Sequence, residues 1–555
     1  MSNRLPKTFL LFLGIFLVMN LVQSFFTEII YDEAYYWYYA QQLNWGYFDH
    51  PPMVALMIWS SGLFFDGELG VRFISCLMST GTLVILWQLI DDERKKKFVP
   101  HFFVLALAMA LFNAYGFLTL PDTPLLFFTA FFLWAYRRFL HTPSLLNALV
   151  LGVIMACLMY SKYHAVLVIV FVLLSNLSLV KNKYAWAAVI VSLLCYAPHL
   201  MWLFEHDFVS VNYHISERPN HPYSFGEFTL GYLLNLIVNF GLLFPWFYWA
   251  LFKSKPKNKF EKALVYLTYG VILFFFMSSF AKRTQAQWVI VICIPMFILA
   301  YNHLLQHEHH RKWMYRIALI SFVILLYARL WLVFQPLLPK VFETHGNKKW
   351  VTELQEFLGD TPAVFENSYR EASMYAFYSG QQSFSLNNAH YRRNQYSIDG
   401  SEAQVQHQKV GYLSKYVKSG DFEYLNPGGD KVFVNYMDNF ESFRKLQCFI
   451  DNETIDLNKK EQLLKIYNPY NETIQLEKIE FQVSYLNAYK QLKAQQPISY
   501  TLLENGEPGF KARDTTIIRF TLPKPKMEHP TYLRFSIKEN GLQPAINSHS
   551  IKITQ

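Results

Sequence analysis

The sequence predicts a polytopic α-helical membrane protein with about eleven transmembrane helices, followed by an α/β module and a β-rich domain outside the cytoplasm. Hydrophobic residues make up 53% of the 555 residues and charged residues only 16%, whereas a soluble globular protein usually has about 25% charged residues. All long apolar stretches lie in residues 1–334, and the other 221 residues (555 − 334) have mixed composition. Lysine and arginine cluster in alternate loops between the apolar stretches, as in membrane proteins.

The apolar stretches are long enough to cross a bilayer. A hydrocarbon core of about 30 Å needs roughly 20 residues of helix. The first stretch has no small-residue cleavage site after it, so we expect a retained helix rather than a signal peptide. The predicted spans are residues 8–26, 70–90, 99–118, 124–140, 145–161, 164–180, 184–204, 229–252, 263–281, 287–305 and 314–334.

Charge sets the predicted orientation in the cytoplasmic (inner) membrane. With the N-terminus inside, eighteen lysines and arginines lie in inner loops and six in outer ones. This positive-inside bias explains most of the net charge of +9 without nucleic acid as a partner, and it places residues 335–555 outside the cytoplasm. Cations on the outer face oppose the bias, which indicates that this face needs positive charge. The six outer cations are Arg72, Lys162, Arg218, Lys282, Arg283 and Arg329.

The part that follows the spans divides in two. Residues 335–445 combine a helical stretch, KKWVTELQEFL, with short β-like runs, which predicts a small α/β module. Residues 446–555 alternate polar and apolar residues between turn signals, for example in TTIIRFTLP and YLRFSIKE. That alternation is typical of a β-sandwich.

The segment YDEAYYWYYAQQLNWGYFDHPP, residues 31–52, places carboxylates directly after the first span. Asp32 and Glu33 open it, and two interpretations of Asp32 remain. It could cap a short interfacial helix of tyrosine and tryptophan residues. It could also take a proton from an acceptor hydroxyl, as a transferase requires.

The end of the same segment, YFDHPP, raises a second pair of interpretations. Asp49 and His50 precede Pro51 and Pro52, which fit the start of another helix. The two residues could form a polar turn, or His50 could contact a phosphate or a divalent metal with Asp49 beside it.

A histidine-rich run at residues 303–313 lies on the inner side, and we interpret it as a solvated interfacial cluster rather than a metal site.

Further candidates lie in other outer loops. Asp122 in LPDTP could cap the next helix or serve as a second carboxylate near Asp32. Lys162 in YSKYHA could extend along the apolar surface to the interface or bind a phosphate. Arg218 and Arg283 lie in two further outer loops, so three separate loops carry cations suited to an anionic ligand.

These segments resemble the bacterial members of the protein O-mannosyltransferase and lipid A aminoarabinose transferase group, which are glycosyltransferases of the GT-C class. The resemblance rests on the acidic pair 32–33, YFDHPP, LPDTP and YSKYHA, with FENSYREASMYAFYSG and HYRRNQY in the outer domain. It extends to about residue 400. It implies an enzyme that uses a sugar held by phosphate on a polyprenyl lipid, at the outer membrane face.

The resemblance also implies roles for individual residues. Asp32 matches the proposed base or acceptor-orienting acid, with Glu33 supporting it, and Tyr47 matches a tyrosine that touches the donor phosphate. The aminoarabinose transferases usually have Glu-Lys where this chain has Asp49 and His50, and the Lys holds the lipid phosphate. We therefore expect His50 to share that role with other cations, namely Lys162, Arg218 and Arg283.

The expected reaction is transfer of a sugar from a polyprenyl-phosphate donor to a glycolipid, polysaccharide or protein by a single inverting displacement. The leaving phosphate needs fixed cations and the attacking hydroxyl needs a base on the opposite side. No cofactor is firmly expected, although a divalent metal at Asp49 is one interpretation. A transporter or flippase of a lipid-linked or anionic substrate is the alternative, but few charges lie within the spans, where a transporter would need them.

Overall fold

The structure is a computed structural model that describes residues 5–459, 461–503 and 509–554. The chain forms two units. The membrane unit comprises Met1–Asp207 and Tyr223–Asn347, and the C-terminal unit comprises Phe208–Pro222 and Lys348–Gln555. The boundary therefore falls after residue 347 rather than at the predicted residue 334, and one loop of the membrane region belongs to the C-terminal unit.

The described part of the membrane unit is built of helices. The first ten are α1 (Lys7–Phe26), α2 (Tyr31–Ala40), α3 (Met53–Gly62), α4 (Gly67–Leu89), α5 (Val99–Leu107), α6 (Ala110–Ala114), α7 (Asp122–His141), α8 (Leu145–Ser161), α9 (Val166–Ser175) and α10 (Lys183–Glu205). After α11 (Val209–Asn212), which lies in the C-terminal unit, come α12 (Gly231–Phe240), α13 (Phe244–Lys253), α14 (Lys259–Ser278), α15 (Cys293–Gln306) and α16 (Glu308–Val333).

Each predicted span coincides with helical structure. Within the described residues, seven helical segments are long and apolar enough to cross a membrane. The third predicted span is divided between α5 and α6, and the eighth is interrupted at Gly241, whose φ of +55° lies in the region that glycine tolerates best. Eleven crossings therefore remain a prediction. The seven segments are Lys7–Phe26, Gly67–Leu89, Lys183–Glu205, Gly226–Lys253, Lys259–Ser278, Ala286–Gln306 and Glu308–Val333.

Local sequence explains where several helices begin. Ser144, Asn182 and Asn258 each precede a helix and accept a hydrogen bond from a backbone N–H of its first turn. Such caps satisfy donors that the helix itself cannot satisfy. The glycine at 152 lets α8 approach α10, because a Cβ there would lie 2.6 Å from the Ala188 carbonyl oxygen.

The predicted interfacial helix exists as α2, but Asp32 does not cap it. The N-cap is Ile30, and its N–H donates to the Glu33 carboxylate at 3.1 Å. Asp32 lies in the first turn, where a carboxylate interacts favourably with the helix dipole. The capping interpretation of Asp32 is therefore wrong, and its side chain is partly exposed.

The first part of the C-terminal unit is an α/β module. Strands β1 (Ala363–Glu366), β2 (Ser383–Leu386), β3 (Val410–Ser414), β4 (Phe422–Leu425) and β5 (Lys431–Met437) form one sheet in the order β2-β1-β3-β5-β4. β1 pairs in parallel with β2 and β3, whereas β5 pairs antiparallel with β3 and β4. The module also contains α17 (Asn347–Leu358) and α18 (Tyr369–Ser379).

The remainder forms two larger sheets and one short pair, around a core that includes Phe481, Ile518 and Phe535. The strand orders are β11-β10-β15-β16-β7, β12-β14-β8-β6 and β13-β9. The strands are β6 (Gln447–Phe449), β7 (Thr454–Asp456), β8 (Gln462–Tyr467), β9 (Ile474–Gln475), β10 (Ile479–Leu486), β11 (Leu492–Pro497), β12 (Ser499–Leu502), β13 (Gly509–Phe510), β14 (Thr515–Thr521), β15 (Tyr532–Glu539) and β16 (Ile551–Thr554).

Glu217 attaches the segment 208–222 to the β-rich domain. Its carboxylate accepts from Arg534 Nη2 and from the Ser550 hydroxyl, each at 2.7 Å, and Lys490 Nζ lies 3.6 Å away. Burial alone would raise the pKa of Glu217, but Arg534, Ser550 and Lys490 outweigh it and hold that pKa below its ordinary value. The segment is therefore held by a charged contact that requires an ionised carboxylate.

Candidate active site

Glu33 and Arg72 form a buried clamp beside Asp32. The Arg72 guanidinium donates from Nε to Glu33 Oε1 at 2.8 Å and from Nη2 to Oε2 at 2.5 Å, and neither side chain is exposed to solvent. Its other donors reach the backbone carbonyl oxygens of residues Ser24, Thr27 and Glu28. A bidentate pair of this kind gives directional specificity as well as energy. The clamp joins the end of α1, the start of α2 and the start of α4.

The same clamp reaches the loop before α7. Glu33 Oε1 also accepts from the backbone N–H of Thr119 at 2.8 Å. Nearby, the buried Arg329 of α16 donates to Asn113 Oδ1 at 2.6 Å and to Asn20 Oδ1 at 2.8 Å. Arg72 and Arg329 therefore form hydrogen bonds inside the membrane unit, although the sequence analysis counted them among the cations of the outer face.

Asp122 and Lys162 are brought together by the packing of α7 against α8. Lys162 Nζ lies 2.7 Å from Asp122 Oδ1, and both side chains are more than nine-tenths buried. Asp122 is the first residue of α7 and Lys162 directly follows α8, so the pair lies where these two helices meet on the Asp32 side. The sequence predicted both residues as site residues but did not predict that they pair.

Tyr115 connects this pair to Asp32. Its buried phenol lies within electrostatic range of the carboxylates of both Asp122 and Asp32. Two predicted acids from different parts of the sequence thus lie around one tyrosine in the membrane unit. A single polar site that contains Asp32, Asp122 and Lys162 remains a prediction that this proximity supports.

The helix α2 also carries the contacts to YFDHPP. Residues 32, 35, 36 and 39 share one helical face, because they are spaced three or four apart. The Tyr35 hydroxyl donates to Asp49 Oδ2 at 3.1 Å and the Tyr39 hydroxyl to the same oxygen at 3.4 Å. The His50 ring packs edge-on against Tyr36, with 5.6 Å between centroids. Asp49 and His50 therefore follow the face of α2 that bears Asp32.

Tyr47 has an internal role in this structure. Its hydroxyl lies 3.1 Å from the Tyr39 carbonyl oxygen and 3.0 Å from that of Gln42, and it accepts from the N–H of Asn44. Its ring stacks on Tyr39 with 4.3 Å between centroids. Burial raises the pKa of the Tyr47 phenol to about 12, although the Asn44 hydrogen bond lowers it slightly. For Tyr47 to contact a donor phosphate, as the sequence predicts, its hydroxyl would have to give up the hydrogen bond to the backbone carbonyl oxygens and donate to the phosphate instead.

A residue that the sequence did not single out fixes the loop before YFDHPP. His199 in α10 is fully buried, and its Nδ1 lies 2.7 Å from the carbonyl oxygen of Trp45. Gly46 follows, and a Cβ there would lie 2.2 Å from the Trp202 ring. Only glycine allows the loop to pass this close to α10.

No contact of the described residues joins the other two predicted phosphate-binding cations to this group. Arg218 is exposed and belongs to the C-terminal unit, where its N–H donates to the Tyr213 carbonyl oxygen at 2.9 Å. Arg283 is exposed in the loop after α14, within the membrane unit. Their roles toward a donor phosphate remain predictions.

The described residues contain no group of three or more histidine, cysteine, aspartate or glutamate side chains that could hold a metal ion. Asp49 accepts hydrogen bonds from two tyrosine hydroxyls. The metal role that the sequence suggested for Asp49 remains a prediction.

Sequence reasoning missed Arg72 as a partner of Glu33, and it missed Tyr115 and His199 entirely. The tyrosines of α2 had a usable signal, because their three- and four-residue spacing from Asp32 predicts a shared helical face. Tyr115 and His199 lie within apolar stretches and carried no such signal.

Known proteins resemble both the sequence and the fold. A family model described as dolichyl-phosphate-mannose-protein mannosyltransferase matches residues 49–202. Lipid A galacturonosyltransferase RgtD of Rhizobium johnstonii is 25% identical over 303 residues, which are 49% of this chain. The chain spans 60% of the length of that curated relative.

Two solved structures share the architecture. ArnT of Cupriavidus metallidurans in the apo state superposes with a TM-score of 0.55 at 14% identity, covering 73% of this chain and 92% of that one. The same protein bound to undecaprenyl phosphate has a TM-score of 0.52 at 13% identity, with the same two coverages. The predicted resemblance and the GT-C fold of the membrane region are thereby confirmed.

Proposed function

We propose that this chain is an integral-membrane glycosyltransferase that transfers a sugar from a polyprenyl-phosphate donor at the outer face of the cytoplasmic membrane. The observation that carries the proposal is the placement of Asp32. This partly exposed carboxylate lies on one face of α2 with the tyrosines that contact Asp49 and His50. It also shares Tyr115 with the Asp122–Lys162 pair.

The chemistry follows from this placement. Asp32 takes the proton of an acceptor hydroxyl as that oxygen attacks the anomeric carbon, and the bond from that carbon to the donor phosphate oxygen breaks. The phosphate leaves with an added negative charge, and in this proposal Lys162 and His50 stabilise it, with Arg283 and Arg218 as further candidates. A base and cations on opposite sides of the sugar produce inversion.

Glu33 and Asp122 act through their partners in this scheme. Glu33 is saturated by Arg72 and two backbone N–H groups, so it positions Asp32 rather than contacting substrate. Asp122 holds the Lys162 ammonium group at 2.7 Å. An ammonium group held in this way can be presented to a phosphate oxygen without reorganising during the reaction.

The relatives narrow the substrates of the proposal. The name of the Rhizobium johnstonii protein specifies lipid A as acceptor, and one ArnT structure contains undecaprenyl phosphate. The first favours a glycolipid acceptor over a polysaccharide or protein, and the second supports a polyprenyl-phosphate donor.

The test is sugar transfer in proteoliposomes that contain undecaprenyl-phosphate-linked sugars and lipid A. We expect Asp32→Asn to lower the rate by about 10²–10⁴-fold, the usual contribution of a general base. The matched control is Asp66→Asn, because Asp66 is exposed before α4 and Asn can replace it as an N-cap.

Unchanged transfer by a folded Asp32→Asn protein would refute the role of Asp32. If the parent protein moves the lipid-linked sugar across the bilayer but transfers no sugar to lipid A, the glycosyltransferase proposal is refuted and the transporter is favoured.

A further inference from the structure

The membrane unit carries a second polar region at the far ends of its helices from Asp32. Arg72 lies near the start of α4, and Asp91 follows its end. At 1.5 Å per residue, this 23-residue helix is about 34 Å long. A cavity of about 600 Å³ opens beside Asp91 and is lined by residues of α13, α14 and α15 and of the loops that follow α4, α13 and α15.

Three histidines form one wall of this cavity. The rings of His303 and His307 stack with 4.0 Å between centroids, and those of His303 and His310 with 5.1 Å. His303 Nε2 lies 2.9 Å from His310 Nδ1. When both rings are neutral, one nitrogen of this contact donates and the other accepts. In either arrangement, the accepting histidine keeps its own ring N–H, which this contact does not use and which can donate to a ligand.

Three lysines line the cavity at the end of α13 and in the loop after it. They are Lys253, Lys255 and Lys257, and all are exposed. The Lys253 ammonium group lies 4.9 Å from the centroid of the Trp249 ring, which also lines the cavity. In the described part of the chain, none of these lysines forms a salt bridge with a carboxylate. Their positive charge is therefore available to a ligand.

Two of the three acids that line the cavity are paired with arginines. Asp91 pairs with Arg137 at 3.0 Å, and Asp92 pairs with Arg94 at 2.5 Å. Glu261 accepts from a backbone N–H of the preceding loop at 2.7 Å. The two arginines come from outside the lysine group, so among the described residues three lysines face one carboxylate without an ion pair and the lining keeps a net positive charge.

We infer that this cavity binds a phosphate group, supplied either by free phosphate or by the head of an anionic phospholipid. Ammonium groups and imidazole N–H groups are donors that suit phosphate oxygens. The described residues offer no metal-ligand group here. A volume of about 600 Å³ lies in the range of small-molecule sites. The site is separate from the proposed transfer reaction and does not depend on it.

The experiment compares two sources of phosphate with the full chain in nanodiscs. In the first arm, nanodiscs contain phosphatidylcholine with phosphatidylglycerol, and native mass spectrometry counts the phosphatidylglycerol retained after mild activation. In the second arm, sodium phosphate is titrated calorimetrically into protein in phosphatidylcholine alone. Binding in the first arm identifies a lipid head, and binding in the second identifies free phosphate.

The test variant replaces Lys253, Lys255 and Lys257 by Gln, and its matched control replaces Lys181 and Lys183 by Gln. Both sets are exposed and lie at or next to the ends of helices. Loss of charge-assisted contacts worth ~1.5–3 kcal/mol predicts at least about tenfold weaker binding in the test variant only. A second variant replaces both His303 and His310 by Phe, which keeps two rings in the stack and removes the spare N–H whichever histidine bears it, so it should also weaken binding.

The inference is overturned if the parent binds neither probe above the level of the test variant. It is also overturned if the control lysine variant loses as much binding as the test variant.

Discussion

Removal of the negative charge from Glu33 should strongly destabilise the membrane unit. Glu33→Gln leaves the Arg72 guanidinium buried without a carboxylate, and breaking a buried pair on one side costs about 3–5 kcal/mol. Three backbone carbonyl oxygens would still accept from Arg72, so we expect the free energy of unfolding to fall by about 3 kcal/mol, at the lower end of this range. Arg72→Met should cost more, because it leaves the buried Glu33 carboxylate without a cation and those three carbonyl oxygens without the donor they share.

The assay is the free energy of unfolding in mixed detergent micelles, measured by titration with a denaturing detergent. The matched control is Glu93→Gln, which breaks an exposed pair with Lys96 and should leave the unfolding free energy unchanged. The reasoning fails if Glu33→Gln is as stable as the parent, or if Arg72→Met costs less than Glu33→Gln.

Two further perturbations test the other charged contacts. Lys162→Met leaves the buried Asp122 carboxylate unpaired, so we expect a loss of about 3–5 kcal/mol in the same unfolding assay, partly recovered by Lys162→Arg. A Met variant that unfolds like the parent would contradict the pair. Because the folded-state pKa of Glu217 lies below its unfolded value, its stabilisation is present above the ordinary pKa of 4.5 and is lost as pH falls through the lower folded value. Amide hydrogen exchange of residues 208–222, corrected for the intrinsic rate, should therefore accelerate below pH 4.5, whereas Glu217→Gln should exchange fast already at neutral pH. A parent with no such acceleration would show that the charged contact does not hold the segment.

Local sequence patterns were sufficient to predict the apolar helices, the positions of the acidic motifs and the alternating strands after residue 446. Each of these features repeats within one helix or strand, so a short window contains the whole signal. The motif YDEAYYWYYA predicted a short helix after the first span, and α2 occupies it.

The pairing of charges could not be predicted in the same way. Glu33 lies 39 residues from Arg72 and 86 from Thr119, and Asp122 lies 40 from Lys162. No pattern in the sequence relates residues at such separations, because helix packing alone brings them together. The proximity of Tyr115 to Asp32 could not be predicted for the same reason, because it arises only when α6 and α2 are assembled.

By itself, the sequence determined which segments are apolar enough to enter a membrane and which polar residues lie at their ends. Only the tertiary structure decided which of those residues are saturated internally, such as Glu33, Arg72 and Tyr47, and which side chains border an open site. It also assigned residues 208–222 to the C-terminal unit and formed the cavity beside Asp91. The physical reason is that burial and hydrogen bonding depend on groups from distant parts of the chain, whereas hydropathy and helical periodicity are properties of neighbouring residues.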